Sequence, residues 1–258
     1  MIRHARAPAE CRTAADAAKS LPGGYPAAVS KRSTEDGQGG GFRGFPDEAF
    51  VFYEGLEADN SKTYWTAHKA AYEEHVRAPM LALLGELSSD FGAASMFRPY
   101  RDVRFSKDKS PYKTHQGAFV DAVPGVGYYV HVSADGLLAA AGFHSHGADQ
   151  IDRYRDAVDN DATGKHLESI VATLRESGFD LDGDALKTRP KGYPADHPRI
   201  ELLRYRSIYA ERSWQPQPWI HTASAAARVK EAWSAAQPLV AWITQHVGQT
   251  HEPSRRRP

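Results

Sequence analysis

The chain has 258 residues, 41% of them hydrophobic and 25% charged, a composition that excludes disorder along its whole length. Its 32 basic and 32 acidic side chains cancel, and its single cysteine, Cys11, excludes an intramolecular disulfide and a cysteine-based zinc site. The longest apolar run, residues 136–143, is far shorter than the roughly 18 to 20 residues that span a bilayer, so we expect a cytoplasmic protein without membrane contact.

The two ends of the chain differ in composition from its middle. Residues 1–41 are rich in Ala, Gly, Ser, Pro and charge, without the apolar stretch of a secretory signal, and predict a disordered extension. Residues 248–258 end in the sequence SRRRP and predict a basic disordered tail. The segment between them, 42–247, is long enough to bury one core and is expected to form a single domain.

The folded part opens with helical patterns. Pro46 followed by Asp47 is a typical helix start, because proline fits the first turn and an acid favours the positive end of the helix dipole. Asn60 is predicted to cap a second helix over residues 61–76. A third helix is predicted over residues 78–92, where glycine ends it.

From residue 96 the pattern changes to short extended runs at 96–105, 115–122, 125–133 and 136–143. The Asp135-Gly136 pair predicts a tight turn between the last two runs. Helical patterns return at 148–158, 165–177, 198–207 and 223–247, with Pro238 predicted to kink or divide the last helix. Strands grouped between helices predict an α+β fold with a mainly antiparallel sheet packed by helices.

One segment concentrates charge in this neutral chain. The sequence RPYRDVRFSKDKSPYKTH (98–115) carries six basic side chains, Arg98, Arg101, Arg104, Lys107, Lys109 and Lys113. In an extended conformation Asp102 would lie between two guanidiniums, with Arg101 on the other face. The lysines follow in a turn whose amides can also face an anion. The segment predicts either an anion site or a charged loop in which the basic side chains form ion pairs with nearby acids such as Asp108.

A second basic cluster follows in the sequence LKTRPKGYPADHPRIELLRYRS (186–207). Its candidate anion-binding residues are Lys187, Arg189 and Lys191. The proline and glycine content predicts an ordered loop. Two basic loops in one domain suggest that both line one basic cleft.

These segments, together with GFPDEAFVFYEGLEADNSKTYW (44–65), resemble the domain-of-unknown-function 2461 family, a largely bacterial group marked by an RDxRF motif. The resemblance covers about residues 41–247 and implies one folded unit, without implying an activity. The family signature falls on Arg98, Arg101, Asp102, Arg104, Phe105, Asp108, Lys109 and Tyr112.

The sequence GFHSHGADQ (142–150) departs from the family pattern, which tends to have Tyr and Pro at the positions of His144 and His146. Two histidines separated by one residue can bind a metal, with Asp149 or His131 as a third ligand. Histidines at a strand-to-helix junction are more often surface or capping residues. We therefore predict no metal and no cofactor.

Three functions remain open, because the sequence lacks the GxxxxGK[ST], HExxH and GxSxG motifs. The first is a site for a small phosphorylated or carboxylated ligand in an enzyme or a degenerate enzyme, with Asp102 or Asp108 as base and Tyr112 as proton donor. The second is a nucleic-acid-binding module, in which the aromatic residues of the charged segment stack on bases. The third is a structural or partner-binding protein with an internal ion-pair network.

Overall fold

A computed structural model describes residues 41–104, 108–143 and 147–250. The predictions for the N-terminal extension, for nearly all of the basic tail, and for Lys107, His144 and His146 therefore concern residues outside the described part of the chain. The same holds for Phe105 of the family signature.

Helices form one layer of the fold. They are α1 (Asp47–Ala58), α2 (Lys62–Ala71), α3 (Ala78–Phe91), α4 (Ala148–Asp159), α5 (Asp161–Glu176), α6 (Ile200–Leu203) and α7 (Ser224–His246). A π-helical segment, Tyr72–Arg77, joins α2 to α3, and a 3-10 turn, Pro218–His221, precedes α7. None of the helices in the described ranges has the length and apolar character of a transmembrane span.

The helix predictions are confirmed with three corrections. The helix predicted over residues 198–207 is reduced to the single turn α6, because Tyr205 and Arg206 pair with the backbone of Ala185 and Asp184 instead. Ser61 caps α2, because its side chain accepts a hydrogen bond from the Tyr64 amide. The Asn60 side chain instead binds the backbone of Tyr112: its Nδ2 donates to Tyr112 O, and its Oδ1 accepts from the Tyr112 amide. Asn60 therefore anchors the charged segment to the helices. Pro238 does not divide the last helix, since α7 runs through it without interruption.

The second layer is a six-stranded antiparallel sheet with the order β1-β2-β3-β4-β6-β5. Its strands are β1 (Ala94–Met96), β2 (His115–Val123), β3 (Val126–Ser133), β4 (Gly136–Phe143), β5 (Asp180–Asp182) and β6 (Ile208–Trp214). The predicted turn joins β3 to β4, and Gly136 adopts φ +122°, which favours glycine. The predicted α+β fold is confirmed, although the sequence did not predict β5 or β6.

The charged segment forms the tip of the β1–β2 hairpin. Beyond the paired strands, the Phe97 amide donates to Gly117 O at 2.9 Å and the Lys113 amide to Pro99 O at 2.8 Å. The predicted extended run over 96–105 is correct only to Arg101. It then turns because the Asp102 carboxylate accepts a hydrogen bond from the Arg104 amide, which competes with strand pairing.

The helices pack against one face of the sheet. The strand residues that join the buried helix-packed core include Val120, Tyr128, Val130, Val132, Leu137, Ala139 and Phe143, which alternate along β2, β3 and β4. Helix α7 reinforces this packing, since Trp233 Nε1 donates to Tyr129 O at 3.0 Å. The intervening side chains must therefore point to the opposite face.

We call this opposite face the recessed face, because its side chains are shielded although they do not join the helix-packed core. It includes His115, Phe119, Tyr129, His131, Leu138, Ala140, Tyr209 and Glu211. Leu138 and Ala140 each expose only 6% of their surface, and His131 exposes 7%. The fold thus has a second sheltered environment, distinct from its core.

We expect Asn60→Ala to lower the free energy of unfolding by about 1–3 kcal/mol, because both hydrogen bonds to the Tyr112 backbone are lost. The Tyr112 amide should also exchange its hydrogen faster, which NMR can measure. As a control, Ser61→Ala should cost about 1 kcal/mol through the lost helix cap and leave the exchange of Tyr112 unchanged. Unaltered exchange in Asn60→Ala would contradict the anchoring role.

Candidate functional site

The register of the strands orders the recessed face into rows. Paired residues place Gly117, His131, Leu138 and Ser213 in one row across the sheet. The next row contains Phe119, Tyr129, Ala140, Glu211 and Asp180. Basic and imidazole side chains gather at the β1–β2 side, and carboxylates gather at the β5–β6 side.

Lys113 is the most sheltered cation of the charged segment. Only 8% of its surface is exposed, and its ammonium lies 4.9 Å from the centroid of the Phe97 ring. Its nitrogen has no carboxylate within 4.0 Å in the part of the chain that the structure describes. Burial, followed by the charges of Arg98 and Arg101, lowers the pKa of Lys113 to about 8. A buried ammonium without a counter-ion is energetically unfavourable.

Arg101 is only partly satisfied beside it. Its Nη1 forms an ion pair with Asp108, and its backbone amide donates to Pro111 O at 2.9 Å. Its Nε is buried and has no hydrogen-bond partner among the described residues. Pairing at 99–101 and 111–113 places Arg101 on the same side of the hairpin as Lys113. The basic end of the recessed face, which we define as Arg101, Lys113 and His115, thus contains positive charge that the described residues leave incompletely paired, and the charge of exposed Arg98 adds to it.

The other charges of the segment bind one another. Arg104 donates from Nε and Nη2 to Asp102 at 2.9 and 2.6 Å, and these bonds, followed by the field of Arg98, lower the pKa of Asp102 to about 2. Asp108 accepts from the amide and hydroxyl of Ser110, which lowers its pKa. Lys109 Nζ donates to Val103 O. The lowered pKa values make both carboxylates weaker bases. The role of Asp102 or Asp108 as a catalytic base stays a prediction.

Tyr112 lies on the helix side of the hairpin. Its ring stacks on Trp65 with centroids 4.5 Å apart, and only 5% of its surface is exposed. Burial raises the pKa of its hydroxyl. The Tyr112 side chain therefore points away from Lys113. If Tyr112 donates a proton, as predicted, it does so on the helix side of the sheet and not beside Lys113.

Two histidines next to the basic end were not proposed as a pair from the sequence. The rings of His115 and His131 lie 4.9 Å apart, and His131 Nδ1 lies 3.2 Å from the Tyr129 hydroxyl. Burial lowers the pKa of His131 to about 4, and burial with the charges of His131 and Lys113 lowers that of His115. Both imidazoles are therefore neutral at pH 7. Among the described residues no group of three metal-ligand side chains occurs.

Carboxylates gather at the other end of the same face. Glu211 exposes only 9% of its surface, and burial together with Asp182 and Asp180 raises its pKa to about 7. Tyr209 donates its hydroxyl to Asp182 Oδ2 at 3.4 Å. Sequence inspection missed this group because β6 was not predicted. The alternation of Ile208 and Ala210 with polar residues was the signal that could have found it.

The second basic segment does not join the first. Arg189 donates to Tyr193 O, while the Lys187 carbonyl accepts from Arg204. Both follow β5 in the chain, and β5 forms the sheet edge opposite β1. No hydrogen bond or ion pair links the described residues of the two segments. The expected single cleft is therefore not formed by these contacts, and the roles predicted for Lys187, Arg189 and Lys191 stay predictions.

Comparison with known protein families places this site in a wider group. The family model described as "Conserved hypothetical protein (DUF2461)" matches residues 48–242, which include β1 to β6 and thus the whole recessed face. The chain belongs to the DUF2461 family. The resemblance expected from the RDxRF motif is thereby confirmed. No curated protein matches the chain.

We expect Lys113→Met to raise the free energy of unfolding of the ligand-free protein at pH 7 by about 1–4 kcal/mol, because it replaces a buried unpaired charge. The pKa of Lys113 rises from about 8 in the folded protein to its ordinary 10.5 on unfolding. The unfolded chain therefore binds more protons between these values, and wild-type stability should gain a contribution as pH rises through this window.

The measurement is the free energy of unfolding in urea from pH 7 to 10.5, and the value for the variant is subtracted from that for the wild type at each pH. Lys109→Met is the matched control, since its ammonium bonds to a backbone carbonyl and should show neither effect. A destabilised Lys113→Met at pH 7 would contradict the unpaired state of this ammonium.

Glu211→Gln should remove a loss of stability that the wild type shows as pH rises from 4.5 through about 7. The folded pKa of Glu211 is raised above its ordinary 4.5, so folding opposes its ionisation, with Asp180 and Asp182 facing it from β5. The difference should reach up to about 3 kcal/mol above pH 7. Chemical denaturation at several pH values measures it, and Glu231→Gln on the exposed side of α7 is the control. Equal pH profiles for wild type and Glu211→Gln would contradict this account.

Proposed function

We propose that the basic end of the recessed face binds a small anion, the phosphate or carboxylate group of a ligand. The observation that carries the proposal is Lys113, which exposes only 8% of its surface, has no carboxylate partner in the described chain and lies on the same side of the hairpin as Arg101, whose buried Nε has no partner there either. An anion in contact with both would supply the missing partner.

The energetics favour a ligand over an internal ion-pair network. Two opposite unit charges 4 Å apart attract by about 4 kcal/mol at an effective dielectric of about 20. Asp102 and Asp108 are the acids of this segment, but Arg104 and Ser110 occupy them. A protein selected only for stability would gain from an apolar residue in place of Lys113.

The site's shelter favours a small ligand over a nucleic acid. Of the aromatic residues proposed to stack on bases, Tyr112 is buried in the core and the Phe97 ring lies against Lys113. Tyr100 is 47% exposed, but its ring packs near Trp65 on the helix side. The sequence pI of about 7.2 is also low for a nucleic-acid-binding domain.

The neutral histidines adjoin the proposed anion. A neutral imidazole carries one N–H donor and one acceptor, so His115 and His131 can each give a hydrogen bond to an anion or hold a proton next to it. Burial is the main cause of the lowered pKa of His115, and an anion would offset the second cause, the neighbouring positive charges. Since the single cysteine suits a reducing compartment, we place this activity in the cytoplasm.

The test is the melting temperature of the full chain in inorganic phosphate, citrate and a short single-stranded oligonucleotide. At about a hundred times Kd, an anion should stabilise by roughly 2.7 kcal/mol, or about 5–10 °C. Lys113→Met should abolish the shift relative to its own baseline. Arg189→Ala, in the second basic segment, should retain it.

Each alternative has its own outcome. A shift that is equal in Lys113→Met and wild type would overturn the assignment of the site. A shift with the oligonucleotide alone that falls with added salt would favour nucleic acid. No shift with any of the three would overturn the anion-binding proposal.

A further inference from the structure

The recessed face is electrically divided. Its basic end lies at the β1–β2 side of the sheet. Glu211, with Asp180 and Asp182 on the neighbouring strand, forms an acidic end at the β5–β6 side. Both ends lie on one continuous antiparallel sheet, on the face that does not contribute to the helix-packed core.

Glu211 differs from the acids beside it because its carboxylate is largely buried and has no hydrogen-bond partner among the described residues. Asp182 accepts from the Gly183 amide and from the Tyr209 hydroxyl. Asp180 is exposed to water. Glu211 is nine-tenths buried, and the described residues provide it with no hydrogen bond and no ion pair. It is therefore the acidic counterpart of Lys113, a largely buried residue whose charged group has no partner among the described residues.

Apolar, aromatic and imidazole side chains separate the two ends. Glu211 pairs with Ala140, which pairs with Tyr129, so two strand spacings of about 4.8 Å place Glu211 roughly 10 Å from Tyr129 at the Cα atoms. His131 lies two residues further along β3, at roughly 12 Å from Glu211. Lys113 lies beyond β3, six residues from Phe119 of the Glu211 row, so its Cα atom is more than roughly 20 Å from that of Glu211. Ala140 and Leu138 form an apolar floor beside Glu211, and Tyr129 and His131 lie between this floor and Lys113.

We propose that the ligand of this face is bipolar, with an anionic group at Lys113 and Arg101 and a protonated amine at Glu211. This inference rests on the proposed anion site and extends it across the sheet. The apolar floor fits the hydrocarbon or aromatic part of a ligand that joins the two groups.

An amine fits the acidic end better than the other cations. An ammonium brings three donors and one positive charge, which suits one unpaired carboxylate in the field of two more. A metal ion would require several ligands at one point, and no group of three such side chains occurs among the described residues. The raised pKa of Glu211 agrees with this arrangement, since a bound ammonium would stabilise the ionised carboxylate.

The test compares two series of ligands by isothermal titration calorimetry at pH 7. One series is ω-aminoalkyl phosphates with linkers of about six to sixteen carbons, and the other is alkyl phosphates of the same lengths. The variants are Glu211→Gln and its control Glu231→Gln. Ala140→Leu, which fills the floor between the two ends, is a second and independent variant.

We expect the amine to increase affinity by about tenfold or more over the alkyl phosphate, and only at linkers long enough to reach Glu211. Glu211→Gln should remove this advantage without changing the affinity for inorganic phosphate, and Glu231→Gln should retain it. Ala140→Leu should weaken the long ligands in both series and leave inorganic phosphate unaffected.

The outcomes separate this inference from the anion site. If phosphate binds and depends on Lys113, but the amine gives no advantage at any length, the bipolar ligand is refuted while the anion site stands. An amine advantage that persists in Glu211→Gln would refute the role of Glu211. If phosphate and the alkyl phosphates fail to bind, both proposals fall.

Discussion

Alternate side chains of a strand point to opposite faces, and in this protein the helices pack against only one of the two faces that result. This one-sided packing organises the rest of the molecule. Val130 and Val132 pack in the core, so the side chain of His131, which lies between them in the strand, points to the other face. The same alternation brings Tyr129 of β3 and Glu211 of β6 into one row. The choice of the strand residues that pack in the core therefore also decides which residues form the recessed face.

The two faces differ in how well their polar groups are satisfied. On the core side, Tyr72 donates to Gln116 Oε1 at 2.6 Å, and Gln116 in turn donates to Phe97 O and Gly117 O. On the recessed side, Lys113 and Glu211 are sheltered and unpaired within the described chain. Sheltered groups of this kind lower stability, and they are concentrated at functional sites, where a ligand completes them.

The RDxRF motif takes on two different roles in the fold. Asp102 and Arg104 bind each other and turn the chain out of the ladder, which shapes the hairpin tip. Arg101 instead lies with Lys113, and Asn60 anchors the strand that carries Lys113 to the helix layer through the neighbouring Tyr112. The internal ion pairs expected of the motif, Arg104 with Asp102 and Arg101 with Asp108, thus exist beside Lys113, and they hold the tip of the hairpin next to the proposed site.

The sequence by itself determined the α+β class, the helices from Asp47 to Phe91, the Asp135-Gly136 turn and the importance of the charged segment. These follow from local periods, caps and turn chemistry, which neighbouring residues decide. Only the tertiary structure decided that Asn60 anchors rather than caps and that the second basic segment lies at the opposite sheet edge. It alone brought His115, His131 and Glu211 onto one face, because strand order and the choice of the packed face depend on contacts between residues far apart in the chain.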